Sequence, residues 1–139
     1  MKTAVDREER FDFGKNWTKY STLIDSTKIT DAEQSLVTMF QVPDLIGKSF
    51  LDVGCGSGIF SLAAKNLGSE VYSFDIDSHS VSCTRELKRT YHKNDDNWKI
   101  KSGSVLDPEF IREVGQHDFV YCWGVAHHTG AMMKAFENL

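Results

Sequence analysis

Apolar positions along the chain alternate between two spacings. Short runs of β-branched, aromatic and aliphatic residues at 49–53, 71–74, 98–101 and 118–123 read as strands. The stretches between them have helical spacing. One covers 59–67, with Gly68 placed to end it. A second runs from Ser78 to about His92, with Val81, Leu87 and Tyr91 as its inward positions, and a short third covers 108–114. Residues 93–97 read as a turn, and a further helix is expected over 130–139. Upstream, a helix over 32–42 would be capped by Asp31 and ended by Pro43. Regular alternation of strand and helix predicts an α/β fold, a parallel sheet with helices on its faces. Ligands of such sheets sit at the carboxyl ends of the strands.

The first 30 residues are polar with interspersed aromatics. Phe13, Trp17 and Tyr20 fall on one helical face, which suits either a helix packed on the domain or a lid over a ligand. The chain therefore divides into an N-terminal helical or lid segment, 1–44, and a domain over 45–139. A length of 139 residues with 40% hydrophobic content suits one domain with its own core. The formal net charge of −4 argues against general affinity for nucleic-acid backbone. Cys55, Cys83 and Cys122 have no zinc-like spacing, so no metal site is expected and a reduced, cytoplasmic protein is the natural reading. The charged N-terminus does not read as a signal peptide, and no apolar run approaches the length of a membrane span.

The chemistry concentrates at strand ends. Leu51-Asp52-Val53-Gly54-Cys55-Gly56-Ser57-Gly58 runs a strand into glycines at alternate positions and then into a helix. Lacking Cβ atoms, such a turn bends sharply and lets a ligand approach the backbone. Ile59 stands where the dinucleotide fingerprint has its third glycine. Asp52 would repel a pyrophosphate but would suit an ammonium or sulfonium group. At the end of the second strand Asp75 can accept both hydroxyls of a ribose, in a nicotinamide dinucleotide or another nucleoside alike, or it can serve as a charge at a helix start. Ile76 could lie against adenine or ribose, and Asp77 suits the start of the following helix.

LDVGCGSG followed by FDID resembles motifs I and II of the class I, Rossmann-like S-adenosylmethionine-dependent methyltransferases, over about residues 45–139. The resemblance implies a three-layer sandwich around a mainly parallel sheet. It also implies S-adenosylmethionine as methyl donor and S-adenosylhomocysteine as product. It assigns the cofactor's methionine part to Gly54, Cys55, Gly56 and Gly58 with Asp52 nearby, and the ribose to Asp75. Adenine would fall by Ser104 and Val105, where Ser104 replaces the family's usual acid. Asp107 reads instead as a helix cap before Pro108. The run WGVAHHTG resembles motif IV of ubiquinone-biosynthesis-type enzymes, which implies a small-molecule acceptor. It places Trp123 and Gly124 by the methyl donor and His127 and His128 toward the acceptor, either as a general base or as ordinary loop histidines. FDFGKNW is similar to a stretch found before motif I, which implies that Trp17 and Tyr20 cover the cofactor.

The family fold usually has seven strands, and about four are legible in this chain, which stops inside the helix expected to precede a fifth. A non-catalytic cofactor-binding fragment or subunit is the first alternative to an active methyltransferase, and an NAD-dependent oxidoreductase is the second. An exposed fourth strand would favour pairing with another chain, so a homodimer or a partner subunit is expected. Light scattering on the purified chain should show a species larger than one protomer; a monodisperse monomer would contradict that expectation.

Overall fold

The structure, a computed structural model, describes residues 24–122. Its first helix, α1 (Ser26–Phe40), starts earlier than the sequence pattern suggested, because Asp25 rather than Asp31 caps it. The Asp25 carboxylate accepts the Lys28 N–H at 3.0 Å, satisfying one of the unpaired donors of the first turn. The extra turns place Ile29 on the buried face with Ala32 and Leu36. The helix ends at Phe40, two residues short of the expected limit, as Gln41 turns left-handed at φ 55° ahead of Pro43.

Four strands follow: β1 (Ser49–Val53), β2 (Glu70–Asp75), β3 (Trp98–Ser102) and β4 (Phe119–Tyr121). They alternate with α2 (Ile59–Asn66), α3 (Ser78–Tyr91) and α4 (Pro108–Val114). The strand order is β3-β2-β1-β4 and every pairing is parallel. The fold is therefore the expected α/β Rossmann-like arrangement. β4 is shorter than the run that predicted it, and Trp123 lies outside the described residues.

Alternation along the strands sends side chains to two cores. Phe50, Val71, Trp98 and Ile100 face α1, α2 and α3, whereas Leu51, Val53, Tyr72 and Phe74 face α4. On α3 the inward stripe is Ser80, Val81, Cys83, Thr84 and Leu87. Tyr91, expected in the core, sits in the last turn beyond that stripe and is 46% exposed. The caps foreseen at Asp77 and Asp107 are present: Asp77 accepts the His79 N–H, and Asp107 accepts those of Glu109 and Phe110.

Small residues set the closest approaches. Gly58 adopts φ +88°, and a Cβ there would stand 2.8 Å from Thr84 Oγ1 and 3.0 Å from Thr84 Cα. The start of α2 thus packs against α3 with no space for a side chain. At the outer edge of the sheet, the outward carbonyls of β3 are covered by basic side chains. Lys88 Nζ donates to the Trp98 carbonyl at 2.9 Å and Arg85 Nη2 to the Ile100 carbonyl at 3.3 Å. Arg85 and Lys88, two of the basic residues lining a groove with Arg89 and Lys93, thereby protect an edge that would otherwise pair with other strands. Among the described residues, no helix is long and apolar enough to cross a membrane.

Two glycines separate conformational strain from packing. Gly47 has φ +74° with nothing within 4 Å of an added Cβ. In urea unfolding, Gly47→Ala should cost about 1 kcal/mol, the strain of a left-handed alanine. Gly58→Ala should cost about 3 kcal/mol or more, because strain and overpacking add. Equal losses would show that the α2–α3 contact is not tight.

Candidate functional site

Strand geometry carries β1, β2 and β3 to one side of the sheet, and the loops that follow them are tied together there. The turn after β1 bends through Gly54, Gly56 and Gly58, all at positive φ. Its first two amides, Gly54 N–H and Cys55 N–H, donate to the Phe74 carbonyl at 2.9 and 3.0 Å. The next link is made by a side chain: Gly56 N–H donates to Asp75 Oδ2 at 3.0 Å. Asp75 Oδ1 accepts the Asp77 N–H at 2.9 Å, and the Asp75 carbonyl accepts the Gly103 N–H at 3.1 Å. Asp75 therefore joins the glycine turn, its own loop and the end of β3.

The Asp75 carboxylate is held by one backbone amide on each oxygen, which leaves lone pairs on both for a pair of hydroxyl donors. Partial burial raises its pKa above the usual carboxylate value, and the amides of Asp77 and Gly56 work against that rise. Beside it, Ile76 is 63% exposed, an apolar side chain held in solvent next to an acceptor of hydroxyls.

Asp52 lies deeper than the sequence suggested. It is only 1% exposed, on the face of β1 that meets α2, and Ser61 Oγ donates to its Oδ2 at 2.6 Å. Ser61 Oγ also lies 2.6 Å from Ser73 Oγ, which accepts from Trp98 Nε1 at 2.9 Å. Among the described residues no cation pairs with Asp52. Burial raises its pKa to about 7, the Ser61 hydroxyl opposes the rise and the Asp75 charge adds to it.

Two further sequence-predicted ligands have inward side chains. Cys55 packs beneath the turn with its Sγ 3.2 Å from Thr84 Oγ1, and burial with the nearby Asp52 carboxylate pushes its thiol far above the usual range, so it is no nucleophile. The Val105 side chain belongs to the core with Leu51, Phe74 and Ile111 rather than to an open pocket. Gly58 serves the helix contact with Thr84. Ser104, half-buried, accepts the Leu106 N–H at 3.1 Å, which fixes the loop after β3 and leaves its hydroxyl proton to donate. Trp17, Tyr20, Trp123, Gly124, His127 and His128 lie outside the described residues. Sequence reasoning did not single out Ser61, Ser73 or Thr84. The available signal was a serine in the middle of an otherwise apolar strand, at Ser73, which is fully buried.

Comparison with known proteins extends this description. A family model described as a methyltransferase domain matches residues 51–139. The chain is 40% identical over 79 residues to the ribosomal protein L11 methyltransferase of Legionella pneumophila (strain Lens), a match covering 55% of this chain and 27% of that protein. It is 33% identical over 95 residues to the protein of the same name from Parasynechococcus marenigrum, covering 68% of this chain and 33% of that one. The chain thus spans between a quarter and a third of the length of these curated relatives. Its fold is similar to a putative S-adenosyl-L-methionine-dependent methyltransferase from Methanococcus maripaludis, with TM-score 0.69 and 16% identity over 90% of this chain and 55% of that one. It is also similar to the N-terminal domain of EvdMO1 in the presence of SAH and D-fucose, with TM-score 0.63 and 17% identity over 83% and 47% of the two chains.

The elevated pKa of Asp52 has a consequence for stability. Its folded-state value of about 7 exceeds the ordinary value of 3.8, so the folded state binds the proton more tightly than the unfolded chain does. Stability linked to Asp52 is greatest below the unfolded pKa and falls as pH rises through 3.8 to about 7. Asp52→Asn should therefore stabilise the chain by about 1–4 kcal/mol at pH 8 and by little at pH 4. Urea unfolding at both pH values measures this; an equal effect at both would contradict a buried carboxylate with a raised pKa.

Proposed function

We propose, for a chain that belongs to the methyltransferase-domain family, that residues 51–107 form an S-adenosylmethionine cradle and that the protein containing them transfers the methyl group to an acceptor. The observation that carries this reading is the bond from Gly56 N–H to Asp75, which makes the glycine turn and the second-strand acid parts of one site. A diphosphate on this turn would meet the carboxylates of Asp52 and Asp75 together, and the Asp75 charge already raises the pKa of Asp52. A ligand with a cationic end and a diol is the better match.

S-adenosylmethionine brings an already activated methyl group on a sulfonium, so the protein's task is placement. In this reading the backbone of Gly54 to Gly58 receives the aminoacyl end, with Asp52 as the buried negative charge beneath it. Asp75 accepts the ribose hydroxyls through its remaining lone pairs, and Ile76 gives adenine an apolar surface. Ser104 meets the adenine edge. The sequence resemblance assigns Trp123, Trp17 and Tyr20 to the cofactor and His127 and His128 to the acceptor, one histidine as general base where the acceptor is a hydroxyl. Cys55, Cys83 and Cys122 form no disulfide among the described residues, which supports a reducing, cytoplasmic setting.

A small-molecule acceptor is supported by the resemblance of the 123–130 run to small-molecule enzymes. A protein acceptor is supported by the relatives named for ribosomal protein L11. A methyl-transfer assay with both acceptor classes separates the two, and a chain that binds cofactor but methylates neither would be a cofactor-binding subunit.

Calorimetry should show binding of S-adenosylmethionine and S-adenosylhomocysteine and none of NAD. Asp75→Ala should weaken both by about 1.5–3 kcal/mol, the worth of hydrogen bonds to a charged group. Binding of NAD, or an unchanged affinity in Asp75→Ala, would overturn the assignment.

A further inference from the structure

Four side chains on three different strands and a helix form one buried line of hydrogen bonds. Trp98 Nε1–H on β3 reaches Ser73 Oγ on β2 at 2.9 Å, Ser73 Oγ meets Ser61 Oγ on α2 at 2.6 Å, and Ser61 Oγ reaches Asp52 Oδ2 on β1 at 2.6 Å. Each of the four is at most 1% exposed, so water does not substitute for any link. Sheet register produces the alignment: Asp52 lies beside Ser73, Val71 lies beside Trp98, and these positions face the same helices.

The chemistry of the donors gives the line a direction. An indole N–H can only donate, and a serine hydroxyl has a single proton. Ser61 gives its proton to Asp52. Ser73 must then donate to Ser61, which leaves its lone pair for the indole. Every bond points toward the carboxylate, and donors in series polarise one another. A protonated Asp52 could still accept from Ser61 at Oδ2, but a neutral carboxyl is the weaker acceptor, so a line of donors aimed at it favours the ionised form.

We propose that Trp98, Ser73 and Ser61 are positioning residues that favour the ionised form of the buried Asp52 carboxyl and fix it in one orientation for the cationic ammonium end of the cofactor. The inference rests on the cofactor reading above, but the line of bonds is open to a test of its own. Groups that bear on its two ends must be separated in that test. Asp75, Cys55 and Tyr121 act electrostatically around Asp52. At the other end the His92 ring meets the Trp98 ring edge-on at 6.1 Å, and Lys88 Nζ holds the Trp98 carbonyl.

The experiment follows the indole N–H resonances of the full chain by 15N–1H NMR between pH 5 and 9, with Trp98 identified by the peak lost in Trp98→Phe. The Trp98 peak should titrate with Asp52. That response should vanish in Asp52→Asn and in Ser73→Ala, and persist in His92→Asn. A response that follows His92, or that survives Ser73→Ala, would overturn the relay. Calorimetry with S-adenosylmethionine at pH 6 and 8 supplies the functional readout. Trp98→Phe and, as a smaller change, Ser61→Ala should each weaken binding by about threefold to tenfold at pH 6, the worth of one hydrogen bond, and by less at pH 8, where the higher pH itself favours the ionised form. Equal losses at both pH values would mean a structural role only and would reject the proposal. If the wild-type chain showed the Trp98 titration but bound no S-adenosylmethionine, the cofactor reading would fail and the positioning role with it, while the relay itself would stand.

Discussion

A carboxylate buried without a counter-cation among the described residues sets the terms for the centre of this molecule. Asp52 lies between sheet and helix with only hydroxyl and backbone donors around it, and its pKa rises to about 7. A buried acid of this kind works against folding once it ionises. Its neighbours are arranged to limit that cost: Ser61 donates to it, Ser73 supports Ser61 and Trp98 supports Ser73. Replacing this group of polar side chains by apolar ones would be the simpler way to build a core. Their presence directly below a glycine turn fits a role that begins when a cation arrives.

The same region shows how rigid and open parts are divided. The turn is fastened by its own amides to the Phe74 carbonyl and to Asp75, and Gly58 locks the start of α2 against Thr84. What stays open is the outer side of Asp75 and the exposed Ile76. A cradle whose walls are set before the ligand arrives loses little entropy on binding, and placement is what transfer from an activated donor requires.

Much of this was legible in the sequence because it depends on local rules. Alternating strand and helix patterns gave the parallel sheet, Pro108 and Asp107 marked α4, and the glycine spacing with Asp52 and Asp75 marked the site. The misjudged features depend on tertiary contacts. Asp25 and Asp31 are equally good caps on paper, and the burial of Ile29 decides between them. Tyr91 has the spacing of a core residue but stands past the end of the packed stripe. Cys55 and Val105 are a separate case: they occupy motif positions, their side chains pack inward, and their backbone is what would face a ligand. The Asp52–Ser61–Ser73–Trp98 line spans 46 residues of sequence, and strand register and the packing of α2 bring it together.

The account holds that a cation settles over Asp52 when the cofactor binds, and proton counting tests this most directly. Calorimetric titration of S-adenosylmethionine at pH 6.5, in buffers of different ionisation enthalpy, gives the protons exchanged per site. With an Asp52 pKa of about 7 in the free chain, binding should release about three-quarters of a proton, and Asp52→Asn should abolish the release. Binding with no proton release, or a release unchanged in Asp52→Asn, would contradict the central claim.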